Sequence, residues 1–275
     1  MKTLREHTII YDDECPMCNL YTGTFIKTGM LDENGRVAFS RMPVDIRNQV
    51  DHQRACNEIA LINHKRGKVL YGIDSLFAVL GNRYHLLRPL FSSRIFRWLA
   101  EKLYSFISFN RKVIAPGKVF EAVNSCTPDY NISWRLAYIF FAWIVTSIVL
   151  TKYATLLTNF LPAGNFGREF LICGGQIVFQ SFTVFFLKPE RLLHYIGNMM
   201  TISLAGSFLL TPALIVAHYG LIHHELFYLF WFMGVVGLMF IEHLRRVAYL
   251  DIHWSASLSW IVYRFMVLII LLWLL

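Results

Sequence analysis

The chain has 275 residues, 56% of them hydrophobic and 16% charged, with a formal net charge of +8 at pH 7. That is long enough for two domains and too apolar for a wholly soluble protein. Five unevenly spaced cysteines (Cys15, Cys18, Cys56, Cys126, Cys173) argue against a secreted disulfide framework, and nothing points to a nucleic-acid partner.

The first stretch, MKTLREHTIIYDDEC, has too short an apolar run for a signal peptide. HTIIYDD reads as a short strand, and CPMCNLYTGTFIKTG as a helix of about four turns ending at Gly29. Strands follow at VAFSRM (37–42), EIALIN (58–63) and VLYG (69–72), with a helical or irregular stretch over 44–56. IDSLFAVLG then reads as a helix, completing a β-α-β-(α)-β-β-α order. Such an order places the CxxC helix at the carboxyl end of the first strand, where open sheets bind ligands. Residues 1–117 therefore form a mixed α/β domain with 17 Lys and Arg against 11 Asp and Glu.

The CPMC pair carries the chemistry. Cys15 falls at a helix N-cap, Pro16 at the first helical position and Cys18 within the first turn. Free N–H groups and the helix dipole lower the pKa of Cys15, giving an exposed nucleophile with a resolving thiol one turn away. Asp12, three residues before Cys15, is placed either to take a proton from the buried thiol or to stand as a solvated turn residue. No second CxxC or CxxH completes a zinc site, so no metal is expected.

YDDECPMC, beginning at Tyr11, resembles the Y-D-x-x-C-x-x-C signature of the DCC family of thiol-disulfide oxidoreductases. LYGIDSLFAVL is similar to that family's Gly-x-Asp-Ala helix start, with Gly72 and Asp74 in place. LLRPLFSSRIFRWLAEKLYSFISFNRKVIAP resembles its closing amphipathic helices, including Asn110 and Arg111. The resemblance implies a thioredoxin-like fold with Asp12, Cys15 and Cys18 as working residues. Two departures stand out. Pro16 replaces the usual glycine, and CNEIALIN has no proline before the third strand, where thioredoxin-like enzymes carry one. Cys56 lies near that place, either as a half-buried thiol or within reach of Cys15.

Residues 83–118 carry eight Lys and Arg and one acid, with Ile95, Trp98, Leu99, Leu103 and Phe106 at helical spacing. That pattern fits a helix closing the domain's core, a helix attracted to anionic headgroups, or both. A juxtamembrane linker is expected over 118–133 and a helical membrane domain over 134–275. Five stretches there are long and apolar enough to span a bilayer: 134–154, 169–187, 195–217, 226–244 and 255–275. Gly174, Gly175, Gln176 and Gln180 dilute the second. Arg111, Lys112, Lys118, Arg135, Lys188, Arg191, Arg245 and Arg246 fall on one side, and Lys152 and Arg168 on the other. That asymmetry places the N-terminus in the cytoplasm and the C-terminus outside.

Glu242, His243, Arg264, His194 and Asn198 form a candidate polar site in the membrane half, with Arg264 placed to pair with Glu242 across neighbouring helices. Facing histidines would suit haem, but histidines at helix ends sit comfortably at an interface. Haem or quinone chemistry is therefore the weaker reading, and no cofactor beyond the Cys15–Cys18 pair is expected. The leading expectation is a membrane-anchored disulfide reductase acting on a disulfide-bearing protein or small thiol, recharged by a cytoplasmic thiol reductant. The alternative is a redox-sensing, metal-binding or partner-binding domain on a transporter or assembly factor. A further alternative is electron transfer across the membrane.

Overall fold

The computed structural model describes residues 3–117 and 129–273. The chain divides into two compact units, Met1–Trp134 and Arg135–Leu275. Lys118 and Cys126, with most of the expected linker, lie outside the described residues.

The first unit is built on a four-stranded sheet of β1 (His7–Tyr11), β2 (Arg36–Ala38), β3 (Ala60–Asn63) and β4 (Lys68–Tyr71). Its order is β2-β1-β3-β4, with β2 parallel to β1 and the other pairs antiparallel. The central strand is apolar on both sides because both sides are covered. Ile10 packs with Phe39, Ala60 and Ile62 on one face. Ile9 packs with Phe25, Leu61 and Val79 on the other. Ile9 and Ile10 are both fully buried, each burial contributing roughly 1.5–3 kcal/mol. Alternation along one strand thus supplies two cores.

Helices α1 (Pro16–Lys27), α2 (Val44–Arg47), α3 (His52–Asn57), α4 (Ile73–Arg83), α5 (Arg88–Ser92) and α6 (Arg94–Ile114) surround the sheet. α1 stops where Gly29 adopts φ +66°, a left-handed conformation glycine takes without steric cost. Gly72 caps α4 at φ +58°, and a Cβ there would lie 2.7 Å from Glu58 Oε2. β2 is shorter than the expected 37–42 strand. Phe39–Arg41 turns into a 3₁₀ helix, which buries Phe39 and lets Ser40 Oγ–H donate to Asp13 Oδ2 at 2.7 Å.

The second unit consists of α7 (Ile132–Ala154), α8 (Phe166–Leu187), α9 (Leu192–His218), α10 (Glu225–Tyr249) and α11 (Ser255–Trp273). Together with the short turn at Pro189–Arg191 before α9, all five are long and apolar enough to cross a membrane. α7 to α10 run past the expected span ends, because backbone groups at the interface still pair within the helix. The glycines that dilute α8 are packing positions. Gly174 lies against Trp143, and a Cβ on Gly175 would lie 2.5 Å from the Tyr263 hydroxyl. Tyr195, Met199, Val247 and Trp260 centre the core, while Phe182, Phe186 and Ile241 face outward.

Candidate redox site

β1 delivers Asp12 to the end of the sheet, and Cys15 then adopts an extended conformation that starts α1. Its sulfur caps the helix: the Cys18 N–H donates to Cys15 Sγ at 3.3 Å. Pro16, at the first helical position, has no N–H to leave unpaired. Cys15 and Cys18 are both free thiols. The hydrogen bond from the Cys18 thiol, outweighing the opposing effect of burial, holds the Cys15 pKa down to about 7, with Arg111 helping. The same hydrogen bond and burial push the Cys18 thiol far up. The pair is thus split into a thiolate-prone cap and a proton-holding partner.

That division predicts a measurable shift. Cys18→Ala removes the largest lowering influence on Cys15 while leaving the backbone N–H in place. The pH midpoint of Cys15 alkylation by iodoacetamide should therefore move up from about 7 toward the ordinary thiol value. An unmoved midpoint would assign the depression to the helix alone.

One expectation about the site is corrected, and one of the two readings of Asp12 falls away. Cys15 is 3% exposed, not an open nucleophile. Gly117 presses against the Glu14 carbonyl and lies near Pro16, so the chain leaving α6 packs on both neighbours of Cys15. Asp12 is 4% exposed and not a solvated turn residue. Its Oδ1 accepts the Glu14 N–H at 3.0 Å, and its Oδ2 pairs with Arg111 Nη2 at 2.8 Å.

Arg111, read from the sequence both as a membrane-flanking charge and as part of the resemblance, is buried against Asp12. Nε and one Nη2 proton go to Asp12 Oδ2, and the other Nη2 proton to the Cys56 carbonyl at 2.7 Å. Nη1 donates to the Asn57 carbonyl at 2.8 Å and to Ser108 Oγ at 3.3 Å. All five guanidinium donors are engaged. The signal was Asn110–Arg111 in the resemblance to the closing helices; its target, 99 residues away, had none. A cavity of about 240 Å³ beside this cluster is lined by Cys18, Asp12, Tyr21, Ile59, Tyr104 and Arg111.

The other candidates fall outside this cluster. Tyr11 packs under Arg36, whose guanidinium carbon lies 5.1 Å from the ring centroid. Asp74 pairs with Arg97, and Gly72 approaches Glu58, so both serve the α4 junction. Cys56 is disulfide-bonded and therefore not a half-buried thiol, and free Cys15 is not its partner. Pro43 caps α2, and no cis peptide bond occurs among the described residues.

In the second unit, Glu242 does not pair with Arg264. Arg245 and Arg246, three and four residues on along the same helix, reach it at 2.6 and 2.7 Å. Same-helix geometry holds those partners in place, whereas a cross-helix partner would have to be brought there. Arg264 instead lies over the Trp260 ring at 3.8 Å. Arg246 also donates to Asn198 Oδ1 at 2.8 Å, and Asn198 donates to the His194 carbonyl. His243 uses both ring nitrogens, toward Tyr195 at 2.9 Å and Ser257 at 3.2 Å. Among the described residues, no three His, Cys, Asp or Glu side chains gather as a metal-holding set.

A strand leading to a helix capped by the first cysteine of a CxxC pair, on a sheet of this order, defines a thioredoxin-like dithiol domain. Residues 9–115 match the family model described as DCC1-like thiol-disulfide oxidoreductase, and this part of the chain is a domain of that family. No match was found among curated proteins or among solved structures.

Proposed function

We propose that the protein is a membrane-anchored thiol-disulfide oxidoreductase of the protein-disulfide reductase type, with its dithiol on the cytoplasmic side. The observation that carries this reading is the Cys15 sulfur, free, capping α1 and held near a pKa of about 7 by Cys18. The Cys15 thiolate attacks one sulfur of a substrate disulfide; that S–S bond breaks and a substrate thiolate leaves. Cys18 then gives up its proton, for which the buried Asp12 carboxylate is the acceptor in the same cluster. Its sulfur attacks Cys15, forming the Cys15–Cys18 disulfide and releasing the second substrate thiolate. The substrate gains two electrons and the dithiol loses them. A cytoplasmic thiol reductant restores the pair.

The cytoplasmic placement is supported by charge. Lys188, Arg191, Arg245 and Arg246 lie at the ends of α8 and α10 and the entry to α9, against Lys152 and Arg168 at the opposite ends. In the reducing cytoplasm such a pair works as a reductase. Because Cys15 is 3% exposed, the substrate reaches it only when its surroundings open.

The test is a trap. With Cys18→Ser the first attack proceeds and the second cannot, so a protein joined through Cys15 should accumulate and be released by dithiothreitol. Absence of any Cys15-linked adduct, in a variant whose Cys15 still reacts with iodoacetamide, would sink the reductase reading.

A further inference from the structure

The N-terminal half of α6 carries an apolar face that is left exposed among the described residues. Ile95 is 81% exposed, Trp98 60%, Leu99 57% and Leu103 56%. At helical spacing these four project over one side. The opposite side is packed: Phe96 stacks with Phe77 and Phe91, and Arg97 pairs with Asp74 and Glu101. The exposed side is therefore not a core face awaiting its own domain. Isolated exposed leucines need no explanation, but four large apolar side chains side by side on one helix do.

We infer that this face of α6 docks on the surface of a bilayer containing anionic lipid. Charge decides the occupant. Exposed Arg94 borders the stripe, and exposed Lys102, four residues after Trp98 and three after Leu99, projects within it, in a segment carrying eight Lys and Arg against one acid. Long basic side chains extend their charged ends to headgroups while their stems and the apolar residues enter the acyl boundary. Trp98 belongs at that depth, where an indole keeps its N–H in the polar layer. A stripe that sets long basic side chains beside and among large apolar ones matches a layer that is anionic above and apolar beneath, which a protein partner does not offer. The chain also carries five helices able to cross a membrane, so a bilayer is at hand. The inference does not depend on what the dithiol reduces.

The experiment uses the full chain in lipid nanodiscs, with the photo-crosslinker p-benzoylphenylalanine at Leu99 and, as a control on another side of the helix, at Glu101. In discs of phosphatidylcholine with phosphatidylglycerol, lipid adducts at Leu99 should exceed those at Glu101 several-fold. They should fall when the anionic lipid is omitted. Lys102→Glu should lower the Leu99 yield in anionic discs roughly fivefold or more, each basic residue at such a surface contributing on the order of a fivefold change. Equal lipid yields at the two positions, or adducts at Leu99 to a second copy of the chain or to no lipid at all, would overturn the assignment. Lys102 and Glu101 are surface positions, so neither change threatens folding.

Discussion

Arg111→Met is expected to lower the stability of the first unit by about 3–5 kcal/mol, the range for breaking a buried ion pair by removing one partner. Arg111 and Asp12 are 5% and 4% exposed, so solvent does not screen the loss. The change strands a carboxylate, removes the guanidinium donor from the Cys56 carbonyl and leaves the Asn57 carbonyl with Ser108 Oγ–H alone of its two side-chain donors. Against the roughly 5–15 kcal/mol that holds a typical domain folded, that loss consumes much of the margin. Chemical denaturation followed by tyrosine and tryptophan signals from the first unit measures it. Arg111→Met with Asp12→Asn should recover a large part of the loss, since the second change removes the stranded charge. A single variant within about 0.5 kcal/mol of wild type, the range of ordinary surface substitutions, would show that the pair does not hold the unit together.

Cys15→Ser should reduce disulfide exchange to the uncatalysed background, because serine forms no mixed disulfide. The pH dependence of the unaltered protein should follow the Cys15 thiolate. With a pKa of about 7, about half of Cys15 is thiolate at neutral pH, against roughly one per cent for a thiol at the ordinary value of 9.0. A thiolate of lower pKa is also a weaker nucleophile, offsetting close to tenfold of that gain over two units. The net advantage at pH 7 is then only about five- to eightfold, so the site gains its speed more from poise than from raw reactivity. The sign is fixed: Cys15 has a depressed pKa, so its reactivity falls as pH drops through about 7 and levels above it. Stopped-flow alkylation across pH 5–10 reads this directly. A midpoint near 9 would mean that Cys18 does not donate its hydrogen bond to Cys15.

The sequence revealed those parts of the site that are local. Cys15, Pro16 and Cys18 lie within four residues, so helix-start chemistry alone placed them. The strands were legible where alternation serves two covered faces, as at Ile9 and Ile10, and failed where a single residue redirected the chain, as at Phe39. Arg111 was visible as a charge near a membrane span and as part of the resemblance in the closing helices, but not as the partner of Asp12. Its burial depends on carbonyls from α3 and a carboxylate 99 residues distant, and no local pattern encodes such a contact. The Arg264–Glu242 pairing failed for the complementary reason: partners three and four residues away outcompete a distant one. The contact of Gly117 with Glu14 and Pro16 was hidden because it comes from the segment after α6, far along the chain from the motif.

α6 is a single rod of 21 residues, about 31 Å long at helical rise. Its first half bears the exposed apolar stripe, and its last turn bears the guanidinium that balances the charge beside the dithiol. A helix of this length bends little, so it behaves as a beam with one end loaded at the surface and the other bearing on Asp12. Tilting the outer end by a few degrees displaces the inner end by an ångström or more, enough to unseat a hydrogen bond. The grip on the outer half of α6 and the electrostatic balance at Cys15 are thus two readings of one mechanical element.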